Sequence, residues 1–205
     1  MTATTPTPDV REQLITGGLR LISEAGSADL SVRRLAQAAD RTTMCVYTKF
    51  GNRKGLVSAL YERAAAELLA LLDAPGTGLP ALAQTYCEFA DAHPTNYEFL
   101  FTQPMASLDI NPSLRANLVN GIVTRFTAAA SGPHAADAAR AVWSTLHGMT
   151  ALHSLDTISR PRRIEEIART IDAITLGLDD IAAVWAEAHR DDVAAHQADF
   201  DGRQA

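Results

Sequence analysis

Residues 31–56 read SVRRLAQAADRTTMCVYTKFGNRKGL. Apolar residues recur at helical spacing over 32–39, and Ser31 before them is a residue type that caps helix N-termini. Residues 40–41, an Asp-Arg pair, interrupt this pattern, and Thr42 is the N-cap candidate of a second short helix. The segment therefore predicts two short helices joined by a tight turn, with the start of a third helix behind them.

The second predicted helix hides an apolar stripe and presents a polar one. Val46 and Phe50 lie four residues apart and are expected to face inward. A short helix with small polar, aromatic and basic side chains on its outer face is what reading the DNA major groove requires. The predicted DNA-contacting residues are Arg33, Thr42, Thr43, Met44, Cys45, Tyr47, Lys49 and Arg53.

Residue chemistry assigns roles within this set. Lys49 and Arg53 flank the reading helix and the start of the helix behind it, so we expect them to touch phosphates. Arg33 on the supporting helix is expected to pair with guanine. The role of Tyr47, phosphate or base contact, stays open. For Cys45, a redox switch is the alternative to a small side chain beside a base edge.

The same segment resembles the helix-turn-helix of the TetR family of bacterial transcriptional regulators. The match is strongest over residues 46–56, VYTKFGNRKGL, against the family pattern LY-x-HF-x-SKE-x-L. Asp40 replaces the turn glycine, and Asp tolerates the left-handed conformation that such turns use. Arg41 stands where the family has an apolar residue and is expected to extend to solvent. Lys49 replaces the family histidine.

Composition restricts the other classes of protein. The chain has 205 residues, a net charge of −6 and 47% hydrophobic residues, which is typical of a globular protein. No apolar run is long enough to span a membrane, and the N-terminus lacks the pattern of a signal peptide. The cysteines, Cys45 and Cys87, form no metal or redox motif. We therefore expect a cytoplasmic protein without a metal or cofactor.

The charge is unevenly distributed along the chain. Residues 1–63 carry nine Arg or Lys and six Asp or Glu, for a net charge of +3, and residues 64–205 carry a net charge of −9. Both lysines lie within the helix-turn-helix segment. A basic head on an acidic body favours phosphate contact by one end of the molecule.

Strand signals are nearly absent, and prolines separate helical segments. The predicted fold is all-α, with about nine helices: a three-helix helix-turn-helix head followed by a C-terminal helical bundle. The predicted domains are a disordered arm at 1–8, the DNA-binding domain at 9–55, a ligand-binding and dimerisation domain at 56–190, and a flexible tail at 191–205.

The last predicted helix has an unusually regular apolar seam. Its apolar residues from Ile164 to Trp185 are spaced 3, 4, 3, 4, 3 and 4, a strict stripe typical of long paired helices. An ordinary amphipathic helix that covers its own domain is the alternative. The predicted dimer-interface residues are Val142, Leu146, Gly148, Met149, Ile167, Ile171, Ile174 and Leu178.

The C-terminal half has a resemblance of its own. The stretch FADAHP at 89–94 and the motif W-x-x-x-H-G at 143–148 look like the Trp-His-Gly type of TetR C-terminal domain. The resemblance implies a dimer built from the last two long helices and a small-molecule site enclosed by the others. Each aromatic residue could equally be core, but together they suit a small hydrophobic ligand. The predicted ligand-binding residues are Phe89, His93, Tyr97, Phe101, Phe126, Trp143 and His147.

The sequence thus predicts a homodimeric regulator, most simply a repressor that leaves a palindromic operator in double-stranded DNA when a small effector binds. Two alternatives stay open. A helical-bundle enzyme would need a convergent set of ionisable residues, and the sequence contains none of the common catalytic motifs. A helical adaptor with a non-functional head would lack salt-dependent duplex binding.

Overall fold

The structure is a computed structural model that describes residues 9–73, 78–131, 135–153, 169–170, 173–174 and 177. This part of the chain is built from α-helices with one π-helical turn, so the predicted all-α class is confirmed. The helices are α1 Val10–Ala25, α2 Val32–Ala38, α3 Thr43–Phe50, α4 Arg53–Leu72, α5 Gly78–Ala92, α6 Pro94–Tyr97, the π-helix Glu98–Thr102, α7 Met105–Leu108, α8 Ser113–Ala129 and α9 Ala135–His153.

Two adjacent glycines let α1 pack closely against its neighbours. A Cβ atom on Gly17 would lie 2.7 Å from the carbonyl oxygen of Ala38, and one on Gly18 would lie 2.7 Å from the Leu60 side chain. At Gly17 the short distance is to backbone, so glycine is required there although it costs about 1 kcal/mol relative to alanine in a helix; at Gly18 a Cβ atom would have to displace the end of the Leu60 side chain. Helix α1 therefore fixes both the end of α2 and the long helix α4.

The turn between α2 and α3 has the conformation that its sequence predicts. Asp40 has φ of 53°, in the left-handed region. Arg41 is exposed, as expected, and its Nε donates to Oε1 of Gln13 over 2.8 Å. Arg20 donates to the carbonyl of Ala38 over 2.5 Å. Because Gln13 and Arg20 both belong to α1, that helix holds the angle between α2 and α3.

The helix starts agree only in part with the sequence reading. Asn52 caps α4, since its Oδ1 accepts from the backbone N–H of Gly55 over 2.9 Å. Ser31 and Thr42 occupy the N-cap positions of α2 and α3, but neither side chain makes a capping hydrogen bond. The hydroxyl of Thr42 instead lies 3.6 Å from Sγ of Cys45.

The segment after α5 is not one regular α-helix. Four residues of α6 run into a π-helix, closed by a bond from the N–H of Gln103 to the carbonyl of Glu98 over 2.8 Å. The carbonyl of Leu100 in this π-helix accepts from the Tyr61 hydroxyl over 2.8 Å and from Nε of Arg115 over 2.9 Å. Side chains from α4 and α8 thus satisfy the wider turn, which explains its persistence.

The described residues divide into two compact units. One contains residues 9–73 with 84–125, and the other contains 78–83 with the described residues from 126 onward. Helices α6 and α7 and most of α8 therefore belong to the same unit as the helix-turn-helix. This grouping differs from the functional division expected at residue 55, which stays a prediction. The predicted arm, the tail and most of the regular apolar seam lie outside the described residues.

Candidate functional site

The outer face of α3 is open to solvent. Met44 and Tyr47 are 68% and 51% exposed and are the two most exposed large hydrophobic side chains in the described part of the chain. Thr43 is exposed and Cys45 is half-buried, whereas Val46 is fully buried. The predicted inward and outward faces of α3 are thus observed.

Phe50, the second residue expected to face inward, is only half-buried. The guanidinium carbon of Arg11 lies 5.0 Å from the centre of its ring, a cation–π contact at the end of α3.

A groove of about 680 Å³ runs between α2 and α3. Its polar lining contains an exposed residue that sequence analysis missed, Gln37, which lies one turn after Arg33 on α2. The spacing of four residues could have revealed it, because such residues share a helix face. Glutamine pairs with adenine as arginine pairs with guanine. The groove residues are Arg33, Ala36, Gln37, Asp40, Arg41, Thr42, Thr43 and Cys45.

Lys49 forms an exposed ion pair in this state of the molecule. Its Nζ lies 3.3 Å from Oδ1 of Asp9, just before α1, and both side chains are largely exposed. The Arg11 backbone N–H, followed by the Lys49 ammonium, lowers the pKa of Asp9 below its ordinary value. Exposed pairs of this kind contribute about 0–1 kcal/mol. A phosphate can therefore replace Asp9 at little cost.

Arg53 makes hydrogen bonds within the protein that the sequence did not predict. Its side chain is half-buried, and Nε donates to the carbonyl of Leu30 over 2.8 Å while Nη1 donates to the carbonyl of Leu108 over 3.0 Å. Leu30 lies just before α2, and Leu108 ends α7. Because its Nε and Nη1 are directed at two main-chain carbonyls, Arg53 joins the helix-turn-helix to α7, and its phosphate contact stays a prediction.

Two further contacts link residues 94–108 to α1 and α4. The Thr95 hydroxyl on α6 donates to the carbonyl of Ser23 on α1 over 3.2 Å. The ring of Phe99 in the π-helix packs edge-on against Tyr61 of α4, with centroids 5.5 Å apart. Residues 94–108 therefore contact α1, the start of α4 and the middle of α4 within one unit.

Four of the predicted ligand residues lie in the first unit, which contains residues 9–73 and 84–125. Phe89, Tyr97 and Phe101 are buried, and the Tyr97 and Phe101 ring centroids are 4.9 Å apart. Tyr86 packs against both, at 6.3 and 6.1 Å. Burial raises the pKa of Tyr97 to about 12, so its hydroxyl remains neutral. His93 contacts the ring of Phe89 at 5.4 Å but is exposed, so it is not an interior residue of this cluster.

The other three ligand residues lie in the second unit. Phe126 is fully buried. Trp143 and His147 stack on α9, with centroids 5.3 Å apart and an interplanar angle of 23°.

The predicted dimer residues have unequal exposure. Val142 and Leu146 are buried within the single chain. Gly148 is exposed, with no heavy atom within 4 Å of an added Cβ atom, and Met149 and Ile174 are half-buried. These three residues are therefore not fully buried within the single chain, and their place in a dimer interface stays a prediction. The remaining residues, Ile167, Ile171 and Leu178, lie outside the described part.

The described residues contain neither a metal-binding group nor a membrane-spanning helix. No group of His, Cys, Asp and Glu there is arranged to hold a metal ion. No helix in those ranges has the length and apolar character needed to cross a membrane.

Comparison with known proteins identifies the C-terminal region and the fold. The family model described as "Tetracyclin repressor-like, C-terminal domain" matches residues 79–174. No curated protein sequence matches the chain.

Three solved structures illustrate the likeness. A tetR-family transcriptional regulator from Streptomyces coelicolor aligns over 95% of this chain and 98% of its own, with a TM-score of 0.63 and 21% identity. The multidrug binding protein EbrR, complexed with imidazole, aligns over 80% and 96%, with a TM-score of 0.57 and 20% identity. The fatty acid degradation regulator FadR from Bacillus halodurans aligns over 83% and 96%, with a TM-score of 0.60 and 11% identity. Residues 79–174 therefore match a tetracyclin repressor-like C-terminal domain, and the chain shares the fold of these solved structures.

Proposed function

We propose that this protein is a DNA-binding transcriptional regulator that acts as a homodimer on a palindromic operator. The observation that carries the proposal is the α2–α3 groove, whose open side chains include Arg33, Gln37 and Thr43. A helix-turn-helix presents the N-terminal residues of its second helix to base edges in this way. The net charge of +3 over residues 1–63 supports contact with phosphates.

The direct test is selection of DNA from a random duplex pool by the purified full-length protein. We expect a palindrome whose half-sites are centred about 10 base pairs, or a multiple of that, apart, because two related heads must reach successive major grooves. Binding to the selected site should weaken steeply with salt, and Lys49→Ala should lower the slope of log K against log salt by about 0.9. Enrichment of no sequence, together with binding that does not depend on salt, would favour the adaptor alternative.

We further propose that the protein is a repressor and that a small molecule releases it from the operator. Two relatives with the same fold, the multidrug binding protein EbrR and the regulator FadR, support a small-molecule effector by analogy. The contacts of residues 94–108 with α1 and α4 offer a route from the C-terminal region to the reading helix. Coupling of this kind is typically worth about 1–3 kcal/mol and is reciprocal, so operator DNA should weaken effector binding by the factor by which effector weakens DNA binding.

The effector is proposed to contact the aromatic residues of the C-terminal region, among them Phe101 and Trp143. The test is a thermal-shift screen of small hydrophobic molecules, followed by operator titration with each hit. Phe101→Ala and Trp143→Ala should abolish the response in a promoter–reporter strain. If both variants respond like the wild type, the pocket residues are misassigned while the DNA-binding proposal stands.

A further inference from the structure

Helix α9 carries two buried polar groups that lack a partner. The indole Nε1 of Trp143 and the hydroxyl of Thr150 are inaccessible to solvent, and neither has a hydrogen-bond partner in the described structure. Thr150 as a whole is only 6% exposed. Buried polar groups are almost always paired, because an unpaired group loses its bonds to water and gains none. Two such groups on one helix therefore need an explanation.

Thr150 differs from several other helical threonines in the described part of the chain. In α-helices a threonine hydroxyl commonly donates to the carbonyl four residues earlier. Thr48, Thr124 and Thr145 all do so, over 2.8 to 2.9 Å. Thr145 lies on α9 itself and donates to Ala141. The hydroxyl of Thr150 makes no such bond, so its capacity to donate is unused in the described structure.

The two groups lie on one stripe. Positions 143, 147 and 150 are spaced four and three apart, which places them on the same helix face. A separation of seven residues corresponds to about 10 Å along the helix axis. His147, which stacks on Trp143, lies between them. The stripe thus contains two stacked aromatic rings, with the Trp143 indole N–H at one end and the Thr150 hydroxyl at the other.

We propose that this stripe binds the effector and that the effector is an elongated, uncharged molecule with an oxygen acceptor near each end, such as a ketone, ester or lactone. This inference rests on the proposed function and names the chemical class of its ligand. An indole N–H can only donate, so its partner must be an acceptor. Thr150 can donate to the second oxygen.

The Asp and Arg side chains of α9 favour a neutral ligand over an anionic one in the buried part of this stripe. A buried carboxylate needs a paired cation, because its desolvation is otherwise too costly. The charged side chains of α9 are Asp137 and Arg140, and both are exposed. Arg140 lies one turn before Trp143 and could meet an anion only at the solvent end. A neutral oxygen requires only the hydrogen bonds that Trp143 and Thr150 offer.

The test uses a linear series of probes on the full-length protein: 2,10-undecanedione, 2-undecanone and undecanedioate. The two carbonyl groups of the dione are about 10 Å apart, matched to the rise of seven helical residues, and the monoketone has only one such group. In a Trp185→Phe background the tryptophan emission comes from Trp143 alone, since the chain has two tryptophans. We expect the dione to bind most tightly and to shift this emission, the monoketone to bind about tenfold more weakly, and the diacid not to bind.

Substitutions separate ligand contact from a structural role. By calorimetry, Thr150→Val and Trp143→Phe should each weaken dione binding about tenfold, and the matched control Thr145→Val should not change it. Thr150→Val should also raise the melting temperature of the free protein, because it replaces an unpaired buried hydroxyl by a methyl group. A purely structural hydroxyl would predict a lower melting temperature.

Two results would overturn the inference. One is equal binding of the dione by the wild type and by both Thr150→Val and Trp143→Phe. The other is the absence of any emission change with either ketone in a protein that still selects an operator, which leaves the proposed DNA-binding function intact. Tight binding of undecanedioate would show that the ligand is anionic and would likewise reject the neutral class.

Discussion

Replacement of Arg53 by methionine tests whether this residue supports the head or contacts DNA. Methionine keeps an unbranched apolar stem but removes the donors to the carbonyls of Leu30 and Leu108. Hydrogen bonds from charged groups contribute about 1.5–3 kcal/mol each, and the half-buried position favours the lower end. The two bonds together therefore give a loss of about 3 kcal/mol in the free energy of unfolding. For a chain of this size that loss lowers Tm by about 6–12 °C.

The assays are thermal unfolding at fixed protein concentration and DNA binding over a range of salt. Arg34→Met is the matched control, because Arg34 also contacts the loop before α2. It does so through an exposed ion pair with Asp29 at 3.1 Å. This substitution should cost less than about 1 kcal/mol. The slope of log K against log salt should be unchanged by Arg53→Met and lowered by about 0.9 by Lys49→Ala. An unchanged Tm for Arg53→Met, together with a slope of log K against log salt lowered by about 0.9, would refute the structural role and support a phosphate contact by Arg53.

Three further predictions concern specificity, assembly and pH. Arg33→Ala and Gln37→Ala should each relax the selected consensus at one position per half-site, at a cost of about 1–3 kcal/mol in discrimination. If both variants select the wild-type consensus, the groove does not contact the bases. Ile174→Glu should dissociate the dimer in sedimentation, whereas a wild-type monomer at micromolar concentration would contradict the proposed assembly. Arg63 holds the pKa of Glu12 below its ordinary value of 4.5 through a two-fold hydrogen bond of 2.6 and 2.9 Å. The stabilisation is therefore complete above that pH and is lost as pH falls through the folded-state pKa. Glu12→Gln should reduce the fall in the free energy of unfolding, measured with urea, between neutral pH and about pH 3. An unchanged fall would argue against this pair.

The Arg53 contact also bears on how an effector could act. Arg53 follows the N-cap of α4, and its two carbonyl partners belong to the loop before α2 and to the last turn of α7. A displacement of α7 would therefore reach the supporting helix and the start of α4 together. Arg53→Met should weaken the response to an effector more than it weakens operator binding itself.

The sequence by itself determined the helical class, the helix-turn-helix and the inward and outward faces of α3. Helical periodicity, the residue that caps α4 and the left-handed preference of Asp40 are local properties that the chain carries in any context. They identify Val46 as core and Met44 and Tyr47 as surface without any knowledge of the fold.

Only the tertiary structure decided which polar side chains are free to contact a ligand. Arg53 and Lys49 are both basic residues beside the reading helix, yet Arg53 meets two carbonyls from distant segments while Lys49 meets only an exposed carboxylate. Likewise, Thr145 and Thr150 are both helical threonines, and the fold leaves only the second buried and without a partner in the described structure. The physical reason is that hydrogen-bond partners and burial come from residues far away in the chain, and periodicity carries no information about them.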